Sequence, residues 1–214
     1  MTEKELHPSR KVKLSDGMVK QNVVLMSGLF AAPVIAASTD LYSSLAISLA
    51  FTLVTLVSVS IGYFLPRKLV FAVRIALYAI IAASVYAPAA ILLNEIFPLT
   101  VIQNIGIYLP IIITNPLILS KTESRFYFRP FKYMLKDAVG FVTGFDLVCI
   151  TVGVIRDVLA NNRIGTFRMW LPFQIPALGT VFGGFILVGV LSGLFRAVYN
   201  RNKKSRARRS KEGK

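Results

Sequence analysis

Residues 103–123, QNIGIYLPIIITNPLILSKTE, are apolar enough to enter a bilayer, yet Pro110, Thr114, Asn115 and Pro116 stand in their middle. Each proline removes a backbone donor and crowds the carbonyl four residues before it, so the segment cannot be one continuous helix. In lipid such a break persists only where neighbouring helices or a polar cavity satisfy the freed backbone groups. The first apolar segment, residues 21–40 (QNVVLMSGLFAAPVIAASTD), opens with the same Gln-Asn pair and is interrupted by Pro33. Two interrupted segments that start alike, about 80 residues apart, are expected of an internal repeat, and Gly/Pro-interrupted segments in corresponding halves mark a functional centre.

The remainder of the chain follows the same solvent logic. Hydrophobic residues make up 55% of the 214 residues and charged ones 16%, which excludes an ordinary soluble domain. Six apolar stretches, each roughly 17 to 25 residues long, match a hydrocarbon core of about 30 Å. They cover residues 21–38, 45–64, 69–93, 101–120, 138–159 and 177–195. The expected fold is an all-α integral membrane protein of six transmembrane helices, with helices 1 and 4 broken. Each half holds three spans, an odd number, so the second half enters the membrane upside down and the halves form two inverted three-helix repeats. Residues 1–20 form a basic N-terminal segment without an apolar signal region, residues 21–196 the membrane domain and residues 197–214 a basic tail.

The net charge of +15 follows topology. Of 25 Lys and Arg residues, 22 fall in four places: residues 1–20, residues 67–74, residues 121–136 and the tail from Arg196. Six spans put all four on one face, and the positive-inside rule makes that face cytoplasmic, with both termini in the cytoplasm of a cytoplasmic (inner) membrane protein. The tail then rests on anionic lipid headgroups. Aromatics interleave with basic residues at 121–136, which suits an interfacial helix; no nucleic-acid partner is expected. His7 lies in the polar N-terminal segment and takes no role, and Trp170 falls at an aromatic belt.

Asp146 is the residue whose position is hardest to explain by packing alone. It falls near the middle of the fifth span, where an ionised carboxylate costs on the order of 2.5–3.5 kcal/mol, so it must be protonated, paired or open to a cavity. It is therefore a candidate proton or cation site, the alternative being a protonated acid bonded to a neighbouring helix. Thr114, Asn115 and the backbone opened at Pro110 and Pro116 either line a polar site or satisfy one another. Arg156 and Asp157 read as an ion pair or a helix-end anchor. Gly140 and Gly144, Gly179 and Gly183, and Gly189 and Gly193 recur four apart and allow close helix approach within the chain or against another subunit. No Walker loop, dinucleotide fingerprint, His-based metal site or nucleophile–base set is present.

Three pieces together resemble the six-helix membrane subunits of the Rnf and Na+-translocating NADH:quinone reductase (Nqr) complexes. Residues 106–115, GIYLPIIITN, are similar to that family's GIFIPLIVTN. Residues 153–162, GVIRDVLANN, are similar to its G-x-x-R-E-x-x-G-N, with Asp157 for the Glu and Ala160 for the Gly. Asp137 falls at the Asp that opens the family's fifth span. The resemblance covers residues 21–196. It implies a transmembrane electron relay in which two such subunits each give two cysteines, from their broken helices, to a shared [2Fe-2S] cluster. Here the two ligand positions hold Ala32 and Pro116, and Cys149 matches neither. Thiolates hold iron in such clusters, so this chain is expected to bind no cluster, metal or other cofactor. It would act as a structural or gating subunit of an ion-translocating electron-transport complex, at most a non-catalytic part of it, beside a second six-helix subunit and flavin-bearing partners. A stand-alone small-solute or ion transporter on the same scaffold is the alternative; a membrane anchor for a soluble protein is the third reading.

Overall fold

Asp40 opens the first long helix. Its backbone is extended (φ −149°, ψ 173°), and its carboxylate accepts from Ser43 N at 2.9 Å, Ser43 Oγ at 3.0 Å and Thr39 Oγ1 at 3.1 Å. One orphan donor of the first turn is thereby satisfied, as a helix N-terminus requires. The helix that follows, α2 (Leu41–Gly62), is preceded by a short one, α1 (Ala31–Ala37). Next come α3 (Phe71–Ile96) and α4 (Leu99–Ile105), then α5 (Phe131–Asn161) and α6 (Val181–Glu212). The structure is a computed structural model that describes residues 16–66, 68–126, 128–170 and 172–212, with side chains from residue 17 to residue 203. The expectations for His7 and for most of the N-terminal segment lie outside the described residues.

Among the described residues four helices are long and apolar enough to cross a membrane: Leu41–Gly62, Phe71–Ile96, Phe131–Asn161 and Val181–Lys203. A fifth candidate is the bent pair Leu99–Tyr108 and Pro110–Phe126, whose halves meet at 41°. The fold is mostly helical, and among the described residues the strands form one ribbon of two residues each, β1 (Arg163–Ile164) against β2 (Phe167–Arg168).

The first apolar segment differs from the expected span. Residues 21–30 make turns, closed by Met26 N and Ser27 N to Asn22 O and by Gly28 N to Val24 O. The chain then passes through left-handed backbone at Gly28 (φ 66°) and Phe30 (φ 57°) before α1 begins. Pro33 lies in the first turn of α1, where a missing N–H costs nothing because that donor has no intrahelical partner. The interruption therefore precedes Pro33, at Gly28–Phe30.

In the second broken segment, α4 stops at Gly106, whose φ of 53° and ψ of −128° suit glycine. Two tight 3-10 turns follow, Gly106–Tyr108 and Pro110–Thr114, and then a wide π-type turn, Leu117–Phe126. The shared Gln-Asn pairs do not occupy equivalent places. Asn22 is buried in the opening turn, whereas Gln103 and Asn104 lie exposed on α4.

Two basic segments are also more ordered than their composition implies. The connection expected over 121–136 is shorter than its composition implies, because helical turns extend to Phe126 and α5 starts at Phe131, behind Pro130. Its charges are absorbed locally. Arg125 donates from Nε and Nη2 to both oxygens of Asp137, which is 1% exposed, and Arg74 donates from Nε and Nη2 to both oxygens of Glu123 at 2.9 Å. The basic tail continues α6 as helix as far as Glu212.

α2 and α5 pack antiparallel through the middle of the molecule: Ser44 meets Cys149 and Gly153, Thr52 meets Asp146, and Tyr63 meets Phe131. Over their most apolar stretches 56% of residues are buried, against 17% in α3 and α6. The first pair forms the inside and the second flanks it. The core between them centres on Phe51 and Phe145, stacked at 3.8 Å, with Phe30 tilted against both at 5.5 and 5.8 Å.

Candidate functional site

The antiparallel register of α2 and α5 brings one polar stripe into the protein interior. Ser44, Ser48, Thr52, Thr55 and Ser58 recur at three- and four-residue spacing, so they share one face of α2. On α5 the facing side chains include Asp146 and Cys149. Ser38 Oγ and Cys149 Sγ are 3.0 Å apart, and Ser44 Oγ donates to Asp40 O at 2.7 Å. Thr52 Oγ1 donates to Asp146 Oδ2 at 2.7 Å.

Two buried oxygens near the centre of this seam have no hydrogen-bond partner among the described residues: Asp146 Oδ1 and Ser48 Oγ. Ser48 lies beside Cys149 without a hydrogen bond of ordinary geometry. Ser58 Oγ, further along the same stripe of α2, is a third such oxygen. Buried polar atoms are nearly always satisfied, so these orphans single the seam out among the packed surfaces.

The candidates from the broken segments are placed differently. Asn115 is 0% exposed; its Nδ2 donates to Thr55 Oγ1 at 2.6 Å, and its Oδ1 accepts from Leu117 N at 2.8 Å. Asn115 thus fastens the break to α2 and spends its amide in doing so. Thr114 is exposed and donates to Ile111 O at 2.9 Å. Pro110 leads the second 3-10 turn, and Pro116 stands half-buried between that turn and the π-type turn. Asp146 and Asn115 do not touch, but they hold Thr52 and Thr55, residues three apart on α2.

Asn22 does for the first broken segment what Asn115 does for the second. Its Oδ1 accepts from Val24 N at 3.0 Å and Leu25 N at 2.9 Å, and its Nδ2 donates to Gly144 O on α5 at 2.8 Å. Each half of the chain therefore anchors its break on a helix of the other half. The repeated Gln-Asn dipeptide does not point to this, because the asparagines with matching roles are Asn22 and Asn115.

Arg156 and Asp157 do not pair with each other. Arg156, fully buried, donates from Nε to Leu178 O at 2.8 Å, from Nη1 to Ile35 O at 2.7 Å and Ser38 O at 2.9 Å, and from Nη2 to Gly179 O at 3.1 Å and Thr180 O at 3.0 Å. All five guanidinium N–H groups are thus used on carbonyls around the end of α1 and the turn before α6. Asp157 accepts from Asn161, Arg163 and Gly165 N and holds the β1–β2 ribbon. The Asp157 carboxylate raises the pKa of Arg163 through their hydrogen bond.

The family's cluster chemistry asks for thiolates at the two ligand positions. Ala32, second residue of α1, is exposed and carries a methyl group; Pro116 offers a ring without a donor atom. Cys149 is buried on α5 against Ser38, in neither broken segment. These side chains do not fit a thiolate-held cluster.

Comparison with known proteins agrees with the fold. The chain is 28% identical over 196 residues to the E component of the ion-translocating oxidoreductase complex of Sodalis glossinidius, covering 82% of this chain and 84% of that one. To the E component of the same complex in Yersinia pseudotuberculosis serotype O:3 it is 28% identical over 198 residues, 85% of this chain and 84% of the relative. To that of Pasteurella multocida it is 23% identical over 202 residues, 87% and 90% respectively. Residues 11–198 match the family described as Rnf-Nqr subunit, membrane protein. The chain belongs to this Rnf-Nqr family of membrane subunits.

Proposed function

We propose that this chain is a membrane subunit of an ion-translocating electron-transport complex that holds no iron–sulfur cluster of its own and serves the complex as a structural or gating part. The reading rests on chemistry: at the two positions where the resemblance puts cluster ligands, one in each broken segment, the chain holds Ala32 and Pro116, whose side chains cannot bind iron. The scaffold is retained while its redox ligands are not.

The finer architecture belongs to the same proposal. Six spans form two inverted three-helix repeats, the first being the short segment of turns and α1, the fourth the bent α4–Phe126 segment. The reciprocal anchoring of Asn22 on α5 and Asn115 on α2, with α2 and α5 antiparallel inside and α3 and α6 outside, supports it. Both termini face the cytoplasm across the inner membrane, because Lys121, Arg125, Arg129, Lys132 and Lys136 share an end of the fold opposite the β1–β2 ribbon. The partners are membrane lipid, a second six-helix subunit and flavin-bearing subunits, and Asp146 lies on the ion pathway.

The test is purification of the tagged chain from its native membrane in mild detergent, with iron and flavin measured in what accompanies it. A second membrane subunit and a flavin protein should co-purify, while the separated chain should contain no iron. Recovery of the chain alone, moving an ion or small solute in liposomes without an electron donor, would favour the stand-alone transporter instead. Iron bound to the separated chain would overturn the cluster-free reading.

A further inference from the structure

We infer that Asp146, with Thr52 and Ser48, forms a proton-binding site in the seam between α2 and α5, and that the ion taken up there is a proton and not sodium. This rests on the reading of Asp146 as a pathway residue. Thr52 Oγ1 donates its hydrogen bond to Asp146 Oδ2, which leaves Oδ1 as the open acceptor. Oδ1 is buried and unpartnered, and so is Ser48 Oγ, one helical turn before Thr52 on the same face of α2. Protonation forms one O–H bond at Oδ1 and breaks one in the hydronium that delivers the proton, which leaves as water, and the hydrogen bond from Thr52 is kept.

The same geometry argues against a bare cation. A hard cation needs several oxygens around it, and membrane proteins supply them from carbonyls freed where a helix is unwound. Both helices of this seam, Leu41–Gly62 and Phe131–Asn161, are unbroken at this level, so their carbonyls are engaged in their own ladders. What remains is one carboxylate and two hydroxyls. Few ionisable groups compete. Cys149, one turn further on α5, is the titratable neighbour; α2 brings hydroxyls here, and neither α1 nor residues 21–30 carry a charged side chain. Phe30, Phe51 and Phe145 pack on one another, and Phe51 and Phe145 are the chain neighbours of Thr52 and Asp146.

Infrared difference spectroscopy across a pH titration of the purified full chain, and of the complex where it co-purifies, tests this directly. The carbonyl stretch of a protonated carboxylic acid should appear and vanish with pH in the wild type. It should be lost in Asp146→Asn, shift in Thr52→Val and return in Asp146→Glu, and sodium at fixed pH should leave it unchanged. Circular dichroism establishes that each variant is folded. Absence of an Asp146-dependent band, or its erosion by sodium, would overturn the inference. Because the isolated chain suffices, failure of the complex to co-purify would count against the proposed function and leave the proton site standing.

Discussion

Arg156 shows what a buried charge can do without a carboxylate partner. Its five donors meet five backbone carbonyls, and carbonyls at the ends of helical turns carry partial negative charge. Hydrogen bonds to a charged donor contribute more than neutral ones, and each carbonyl left bare in a buried place costs again. Arg156→Met should therefore lower stability by about 3 kcal/mol or more, measured as chemical or thermal unfolding in detergent. Arg156→Lys should recover only a minor part, since an ammonium is a point charge with three donors and not a planar fork. Full recovery by Lys would mean that charge and not geometry is needed. The sequence marks Arg156 through its motif but says nothing of its partners, which come from residues 35–38 and 178–180. Asp146 was legible for a simpler reason: a carboxylate within an apolar run stands out without any knowledge of the fold. Thr52 and Ser48 were hidden, because hydroxyl residues are ordinary in membrane helices and only the register of α2 on α5 brings Thr52 to Asp146 and Ser48 to Cys149, one turn away.

At the scale of elements, apolar length was a dependable guide where the backbone is regular. α2, α3, α5 and α6 contain most of the residues expected of spans 2, 3, 5 and 6, although α2 starts earlier because Asp40 caps it and α5 starts earlier because Pro130 ends the connection before it. The first span was not legible, since its turn depends on left-handed backbone at Gly28 and Phe30, and phenylalanine does not advertise that conformation. The glycines of α5 and α6 divide in the same way. A Cβ at Gly153 would overlap Ser44 Oγ and approach Asp40 O to 2.9 Å, and one at Gly144 would meet the Met18 Cα at 3.0 Å, whereas Gly189 and Gly193 have open space around them. Gly153→Ala should cost about 1–3 kcal/mol through overpacking between α2 and α5. Gly189→Ala in the isolated chain should be neutral or stabilising by up to about 1 kcal/mol, from helix propensity alone. Parallel unfolding curves separate the two. Equal losses would show that these glycines act through their own helices and not through their neighbours. Asp40→Ala should lie near the low end, at about 1 kcal/mol, as an N-cap loss does.

For the molecule as a whole, the two ends of the bundle differ in chemistry, and that difference fixes how it should sit in a membrane. One end gathers Arg74, Lys121, Arg125, Arg129, Lys132 and Lys136, with Asp137 and Glu123 as their bonded carboxylates. The other presents the β1–β2 ribbon and the segment after it, where Phe167 is 78% and Trp170 98% exposed. Lysine and arginine are retained on the cytoplasmic side, and aromatic rings favour the interface. Cysteine labelling with a membrane-impermeant reagent reads this orientation, and the chain brings its own control, because Cys149 is buried and should stay unlabelled in intact protein. A cysteine at Thr166, in the ribbon turn, should react in spheroplasts, while one at Lys203, towards the end of α6, should react only after the membrane is opened. Arg196 on α6 donates to Leu25 O and Met26 O, which ties the far part of that helix to the turns that begin the membrane domain, so Lys203 reports on the N-terminal side as well. Labelling of both positions from the same side would mean that α6, the one crossing expected between them, does not span, and the six-span arrangement would fall with it. Labelling from opposite sides but with the ribbon inside would keep the inverted arrangement and reverse the assignment of the basic face.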